Sequence, residues 1–242
     1  MSFSFASMNK FSAALVVAGA IALPAAIAAA GNGAPDVSIE FGVGGNDPLV
    51  FNPMGSNVGG NVYNYAGNEV GDGWVFSYDL NADADPFISG NIVVQNVSFS
   101  DQTFDFTVFL PTSVLPSSLI GGSVAGGLTD NSGNGAALGL LDGNDSIWSA
   151  IIDGTTVATL LGEGAAAGAF ESVSIGPEAF GTPIPSMEGP AVEDYMAINI
   201  AFELSAGASA SFTSVFVAQV PAPAGLALLG VAGVVSRRRR RA

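Results

Sequence analysis

The chain contains no cysteine and no histidine, and its lysine and arginine residues are confined to its two ends. Of the 242 residues, six are cationic, namely Lys10 and the arginines at 237–241, whereas twenty-one are acidic and lie between Asp36 and Glu203. The lack of cysteine excludes disulfide bonds as a source of stability. Without histidine, cysteine or lysine, residues 31–218 have no histidine-based triad, thiol nucleophile, Schiff-base lysine or histidine-ligated zinc ion.

Residues 31–218 therefore carry only negative charge. Their acidic side chains have no lysine or arginine to pair with, so mutual repulsion must be relieved by solvent, salt or bound cations. A surface without cations also cannot neutralise phosphates, which excludes nucleic acid as a partner. Because 49% of the chain is hydrophobic, we expect apolar burial to stabilise this segment as one domain.

The N-terminal segment has the three parts of a secretory signal peptide. Lys10 is the only cation before the apolar residues 11–27, which are followed by the small residues Ala28 and Ala30 and then by Gly31. This order predicts a signal peptide at residues 1–30, carried by the export translocon and cut by signal peptidase between Ala30 and Gly31. The alternative is a buried helix, but the change to Gly, Asn and Pro at 31–35 disfavours it.

The C-terminal segment combines a proline-bounded break, a short apolar stretch and a basic cluster. The uncharged residues 222–235 would span about 21 Å as a helix, against a hydrocarbon core of about 30 Å. We therefore expect a marginal, temporary membrane span, with the arginines in the cytoplasm and the body outside. The residues concerned are Val220, Pro221, Ala222 and Pro223, followed by Arg237, Arg238, Arg239, Arg240 and Arg241.

This order of segments resembles the PEP-CTERM sorting signal of exported bacterial proteins, in its V-P-x-P form. The resemblance is limited to residues 219–242, and Ala222 stands where Pro-Glu-Pro has its glutamate. It implies recognition by an exosortase, a membrane cysteine transpeptidase, and then release or transfer to the cell surface. Such tags are associated with extracellular matrix and exopolysaccharide production. The alternative is an ordinary tail anchor with a stop-transfer cluster.

The body has the alternation of apolar and polar residues that is typical of half-buried strands. Residues 103–110 and 195–204 show it most clearly, and turn-forming residues separate the segments. We therefore predict an all-β fold, a single antiparallel β-sandwich of jelly-roll or immunoglobulin-like type, flanked by an N-terminal signal helix and a C-terminal apolar helix. The other predicted strands are residues 37–43, 74–80, 91–99, 147–152, 155–161, 170–175 and 211–217.

Four connections are predicted from local sequence. Asp153-Gly154 between two apolar runs predicts a β-hairpin, and residues 91–110 predict a second one that turns at 100–102. The glycine-rich residues 121–141 form either a long loop or strands of small residues. Residues 177–190 contain four prolines and are expected to form an extended loop.

A possible calcium site follows the predicted strand at residues 74–80. Asp79, Asn81, Asp83 and Asp85 place oxygen ligands at alternate positions, as at the start of calcium-binding loops. Ala84 stands where an EF-hand loop requires glycine, so the alternative is a polar strand exit that ends at Pro86. We expect no other cofactor.

Two further patterns concern catalysis and sugar binding. Glu193-Asp194 is the densest acidic pair and suggests a carboxylate-pair glycosidase, although neighbours on a strand point to opposite faces. The aromatic residues Trp74, Tyr78, Trp148 and Tyr195 suit either sugar stacking or core packing, and their positions within predicted strands favour the core.

These observations predict an exported, exosortase-sorted protein of the cell surface or extracellular matrix, without catalytic activity. Its precursor would be inserted in the inner membrane. The alternatives are a calcium-dependent module that binds carbohydrate or a surface, and a carboxylate-pair glycosidase.

Overall fold

A computed structural model describes residues 33–220, and this part of the chain contains β-strands and connections but no helix. All strand pairs in it are antiparallel, and they form two sheets. In chain order the strands are β1 (Ser38–Val43), β2 (Leu49–Phe51), β3 (Ser56–Gly59), β4 (Val62–Gly71), β5 (Trp74–Asp83), β6 (Phe87–Asn96), β7 (Gln102–Pro111), β8 (Ser118–Asp130), β9 (Ala136–Gly139), β10 (Trp148–Ile152), β11 (Thr155–Leu160), β12 (Ala165–Ala167), β13 (Ser172–Phe180), β14 (Met187–Gly189), β15 (Tyr195–Leu204) and β16 (Ala208–Gln219).

The first sheet has the order β11-β10-β15-β7-β1-β2, and β9 joins β15 on one side and β12 on the other. The second sheet has the order β13-β8-β16-β6-β5-β4-β3, and β14 pairs with β8. The chain passes between the sheets several times, so strands that follow each other in sequence often belong to different sheets. The all-β architecture with two antiparallel sheets is that of a β-sandwich.

Aromatic rings from the two sheets meet in the core. Phe41 of β1 stacks on Phe76 of β5 with ring centroids 4.2 Å apart, and Phe202 of β15 lies 5.3 Å from Phe212 of β16. This packing follows from the period of two, because alternate residues of each strand point to the same face. In β15 the inner residues are Met196, Ile198, Ile200, Phe202 and Leu204.

The strongest local predictions agree with the structure. The strand predicted at residues 195–204 is β15 with the same bounds. The hairpin at Asp153-Gly154 is confirmed: it joins β10 to β11, and both turn residues have positive φ, 46° and 79°. Two consecutive positive φ angles are the signature of a type I′ turn, which explains why aspartate and glycine suit these positions.

The hairpin predicted at residues 91–110 is wrong. β6 pairs with β5 and β16 in the second sheet, whereas β7 pairs with β1 and β15 in the first. The connection at 97–101 therefore crosses the end of the sandwich. Both arrangements send alternate apolar residues into one core, so the alternation alone does not distinguish a hairpin from a crossing.

The glycine-rich segment forms strands rather than a long loop. β8 spans thirteen residues and lies between β13 and β16 in the second sheet. Its glycines allow close approach: a Cβ atom on Gly126 would lie 2.5 Å from the carbonyl oxygen of Ser211. The loop expected at 177–190 is partly wrong as well, because β13 continues to Phe180 and β14 lies within the segment.

Both ends of the described chain leave the sandwich at one end, which we call the termini pole. Gly33 lines a shallow depression with Asp83 and Asp85 of the β5–β6 connection. Beside it, the main-chain nitrogen of Ala218, near the end of β16, donates to the carbonyl oxygen of Pro86 over 3.0 Å. The connections at 71–73, 97–101 and 205–207 lie at the opposite end, the distal pole.

Candidate functional site

A shallow groove on the outer face of the first sheet brings two carboxylates together. Glu40 comes from β1 and Asp105 from the adjacent β7. The register places Glu40 opposite Thr107 and Asp105 opposite Gly42, so the two acidic residues are diagonal neighbours. Diagonal neighbours on a sheet face are within reach of long side chains. The groove has a volume of about 220 Å³, and both carboxylates line it.

The groove is open because of what surrounds the pair. A Cβ atom on Gly42 would lie 3.6 Å from that of Asp105, so the missing side chain leaves space next to the aspartate. Pro48 of the β1–β2 connection and Leu141 of the β9–β10 connection form part of the rim. Apolar rim residues reduce the access of water to the carboxylates, and the charged form is then less favourable.

The pKa values of the two carboxyl groups are both raised, for partly different reasons. Burial raises the pKa of Glu40, and the negative charge of Asp105 raises it further. Burial also raises the pKa of Asp105, while a hydrogen bond from Asn199 lowers it.

Asn199 of β15 donates a hydrogen bond to one carboxylate of the pair and not to the other. Its Nδ2 donates to Oδ1 of Asp105 over 2.6 Å and to Oγ1 of Thr107 over 2.9 Å. A donor at this distance stabilises the carboxylate form of Asp105. The hydrogen bond therefore favours ionisation of Asp105, while the negative charge of Asp105 opposes ionisation of Glu40.

Asp130, at the end of β8, has the opposite environment. Its Oδ2 accepts hydrogen bonds from the main-chain nitrogens of Phe170, over 2.8 Å, and Gly135, over 3.2 Å, and its Oδ1 accepts one from that of Ser132 over 3.1 Å. These donors, that of Phe170 first, lower the pKa of Asp130 to about 2. The carboxylate therefore joins three segments at the distal pole and has a structural role.

Asp153 likewise binds main-chain donors. Its Oδ2 accepts from the nitrogen of Glu193 over 2.7 Å, and its Oδ1 accepts from those of Asp194 and Tyr195, each over 2.9 Å. The predicted acidic pair Glu193-Asp194 thus contributes main-chain N–H donors to this arrangement, and not its carboxylates. The amides of Glu193 and Asp194 hold the hairpin turn, while their side chains are exposed. A glycosidase built on this pair stays a hypothesis.

The residues of the predicted calcium site lie in a row. β5 continues to Asp83, so Asp79, Asn81 and Asp83 occupy alternate positions on the outer face of one strand, roughly 6.6 Å apart. Nδ2 of Asn64 donates to Asp79 over 2.5 Å and to Asn81 over 3.3 Å. Within residues 33–220, no three acidic side chains form a group that could hold a metal. Calcium binding stays a prediction.

The last two residues of that prediction lie at the termini pole. The main-chain nitrogen of Asp85 donates to Oδ1 of Asp83 over 3.0 Å, which makes a tight turn. Both residues line the depression near Gly33, together with Tyr63, and its volume is about 310 Å³. If calcium binds this segment, Asp83 and Asp85 are the two predicted ligands that share a concave surface.

The aromatic residues divide clearly into core and surface. Trp148 is fully buried, and the exposed fractions of Trp74, Tyr78 and Tyr195 are 8%, 7% and 7%, so the core-packing interpretation is confirmed. Large exposed rings are found instead at Phe99 (104%) and Phe170 (76%), which lie in connections at the distal pole. Sequence reasoning missed both because it placed them in strands.

The processing signals fall almost entirely outside the described part of the chain. Val220, with an exposed fraction of 54%, is its last residue. Between residues 33 and 220 no helix is long and apolar enough to cross a membrane. The predicted residues beyond these limits are Ala28, Ala30 and Gly31, then Pro221, Ala222 and Pro223, then Arg237, Arg238, Arg239, Arg240 and Arg241.

No protein-family model matches this chain. A search of curated proteins finds none that matches it either.

Proposed function

We propose that this chain is an exported protein of the cell surface or extracellular matrix, delivered by a signal peptide and sorted by its C-terminal tag. The observation that supports the proposal is the termini pole: both ends of the described chain, at residues 33 and 220, lie at one end of the sandwich. A body held at that end presents its distal pole about 40 Å away, the length of the twelve-residue strand β16.

The distribution of charge supports the same assignment. Every cation lies in residues 1–30 or 219–242, which processing would remove, and the remaining body is purely anionic. Net charge of one sign keeps a secreted domain soluble and separate from its copies. We assign no catalytic activity to the body. Its exopolysaccharide or other matrix partner would meet the distal pole, where Phe99 and Phe170 are exposed.

We extend the proposal to the finer architecture. The frequent change of sheet along the chain favours a jelly-roll-like sandwich over an immunoglobulin-like one. The crossings are at β2–β3, β6–β7, β7–β8, β8–β9, β12–β13, β14–β15 and β15–β16. Residues 1–30 would form the signal helix, and residues 222–235 would form a short apolar helix in the membrane. The arginines at 237–241 would hold the precursor in the inner membrane until the exosortase acts.

Intact mass spectrometry of surface and medium fractions tests this proposal. We expect a mature N-terminus at Gly31 and a new C-terminus near Val220. A variant with Pro221→Ala and Pro223→Ala should keep its tail and accumulate in the membrane, whereas Val114→Ala, in a connection of the body, should be processed normally. Recovery of the protein from the cytosol with Lys10 and Arg241 attached would contradict it.

A calcium-dependent binding module is the second candidate function. It is favoured by the depression that Asp83 and Asp85 share, because the body has no lysine or arginine to balance these charges. A ligand bound only by the folded state raises the melting temperature by mass action. Millimolar calcium should therefore raise that of the wild type and not that of Asp83→Asn/Asp85→Asn. An unchanged wild-type melting temperature would remove this candidate.

A further inference from the structure

The groove on the first sheet joins two carboxylates at the strand that begins the sandwich. β1 pairs along its whole length with β7, from Ser38 opposite Phe109 to Val43 opposite Phe104. On its other side it meets only the three residues of β2. The attachment of β1 therefore depends mainly on β7, and Glu40 and Asp105 are diagonal neighbours across that pairing.

Negative and titratable groups approach the pair from several elements. From β15, Tyr195 lies near Glu40, and Glu203, opposite Thr103, is a diagonal neighbour of Asp105. Tyr195 has a pKa raised above 10.0 by burial and then by nearby carboxylates, first Asp153, so it stays neutral in acid and at neutral pH. The flanking connections add Asp47 and Asp142, and β2 and β10 add no titratable side chain.

No positive side chain is available to relieve this repulsion, because the body contains none. Asn199 supplies one neutral donor to Asp105. The remaining way to remove a charge is to bind a proton from solvent. One proton on Glu40 removes one of the two like charges.

We propose that Glu40 and Asp105 form a proton-binding pair that fastens β1 to β7 more tightly as the medium becomes acidic. When both groups are ionised, their repulsion across the two strands favours opening of the N-terminal edge of the sheet. In mild acid the pair binds one proton and the repulsion disappears. The device needs only the folded body, so it does not depend on the sorting proposal.

The sign of the pH dependence follows from the coupling between proton binding and folding. Raised carboxyl pKa values mean that the folded state binds protons more tightly than the unfolded state between neutral pH and the ordinary carboxyl range. The free energy of unfolding therefore rises as pH falls through the folded pKa values, and this gain is complete at the lower, unfolded values. General repulsion among the other carboxylates acts in the same direction, so the pair must be isolated by matched variants.

Melting temperatures of the full-length protein in a non-ionic detergent provide the test. At pH 7.5 and low salt, Glu40→Gln and Asp105→Asn should each raise the melting temperature by about 2–4 °C. The double variant should gain no more than the better single variant. At pH 4.5 the difference from wild type should be much smaller. The matched controls are Glu188→Gln and Asp72→Asn, which are exposed and lie outside the groove.

Three results would overturn the proposal: gains no larger than those of the controls, gains that add in the double variant, or gains that persist unchanged at pH 4.5. If a variant does not fold, carboxyl carbon NMR of the wild type gives an independent answer. Glu40 should titrate above its ordinary value of 4.5. Titration of Glu40 at or below that value would also overturn the proposal. Amide exchange in β1 should slow in acid, after correction for intrinsic rates, relative to β15.

Discussion

The carboxylates of this molecule lie in two contrasting environments. At the distal pole and at the β10–β11 turn, Asp130 and Asp153 are each surrounded by main-chain N–H groups. On the outer face of the first sheet, Glu40 and Asp105 are diagonal neighbours, and the charge of Asp105 raises the pKa of Glu40. In a body without lysine or arginine, the main chain is the principal source of positive partial charge. The comparison shows that an anionic side chain is stabilising where the backbone provides donors and costly where it meets another carboxylate.

The largest effect is expected at Asp130. Asp130→Ala leaves the main-chain nitrogens of Phe170, Ser132 and Gly135 without the acceptor that joins them. We expect a fall in melting temperature of roughly 5–10 °C, measured by circular dichroism. Asp130→Asn keeps an acceptor and should fall less. If both variants melt like the wild type, the carboxylate at the distal pole does not stabilise the fold.

The second effect concerns Asp153. Asp153→Ala removes the acceptor of three main-chain donors and places alanine at a φ of 46°, a region that aspartate and asparagine tolerate better. We expect a loss of about 2–3 kcal/mol of unfolding free energy, because two of the donors are partly solvated. The urea midpoint measures it.

Asp153→Asn serves as the control because it preserves the turn and one acceptor oxygen. It should lose less than half as much as alanine. Equal losses in the two variants would mean that the charge, and not the turn geometry, is responsible.

A smaller effect is expected at Asn199, whose side chain donates a hydrogen bond to Asp105. Asn199→Ala removes the amide that stabilises the Asp105 carboxylate, so the pKa of Asp105 should rise. The lost hydrogen bonds should cost about 1 kcal/mol at neutral pH, and less below the ordinary aspartate value of 3.8, where Asp105 is protonated. Urea unfolding at neutral pH and again below that value measures both costs. A cost that is the same at the two pH values would argue against a role of Asn199 in the ionisation of Asp105.

The smallest expected effect is that of salt. Raising sodium chloride from 0.01 to 0.5 M shortens the screening length and should stabilise the wild type by weakening repulsion. Glu40→Gln should gain slightly less, because one repulsive pair is already removed. Differential scanning calorimetry of the two proteins compares the gains. An equal or larger gain in the variant would show that the pair is already screened at low salt.

The sequence predicted the core better than it predicted the arrangement of strands. The bounds of β15 and the turn at Asp153-Gly154 follow from alternation and from turn chemistry, both of which are local. The small residues of β8 produce no such alternation, and the sheets that β6 and β7 join depend on distant strands. These features are set by packing between segments far apart in sequence.

The candidate site was missed for the same reason. Alternation places Asp105 on the outer face of its strand, but its neighbour Glu40 comes from more than sixty residues away. The pairing of β1 with β7 creates the groove. The local sequence of either segment does not indicate that pairing. The alternation of Asp79, Asn81 and Asp83 is visible in the sequence. The structure shows that β5 continues to Asp83 and so keeps these side chains apart along the strand.

The pH dependence of the unfolding free energy tests the central contrast most directly. The account predicts that stability rises as pH falls from 7.5 to about 4.5, because the carboxylate pair binds a proton. Below the ordinary aspartate value of 3.8 it should fall as pH approaches 2, because Asp130 loses the charge that its main-chain donors stabilise. Glu40→Gln should flatten the rise, and Asp130→Asn should flatten the fall. A wild-type profile that declines steadily from neutral pH downward would contradict the account.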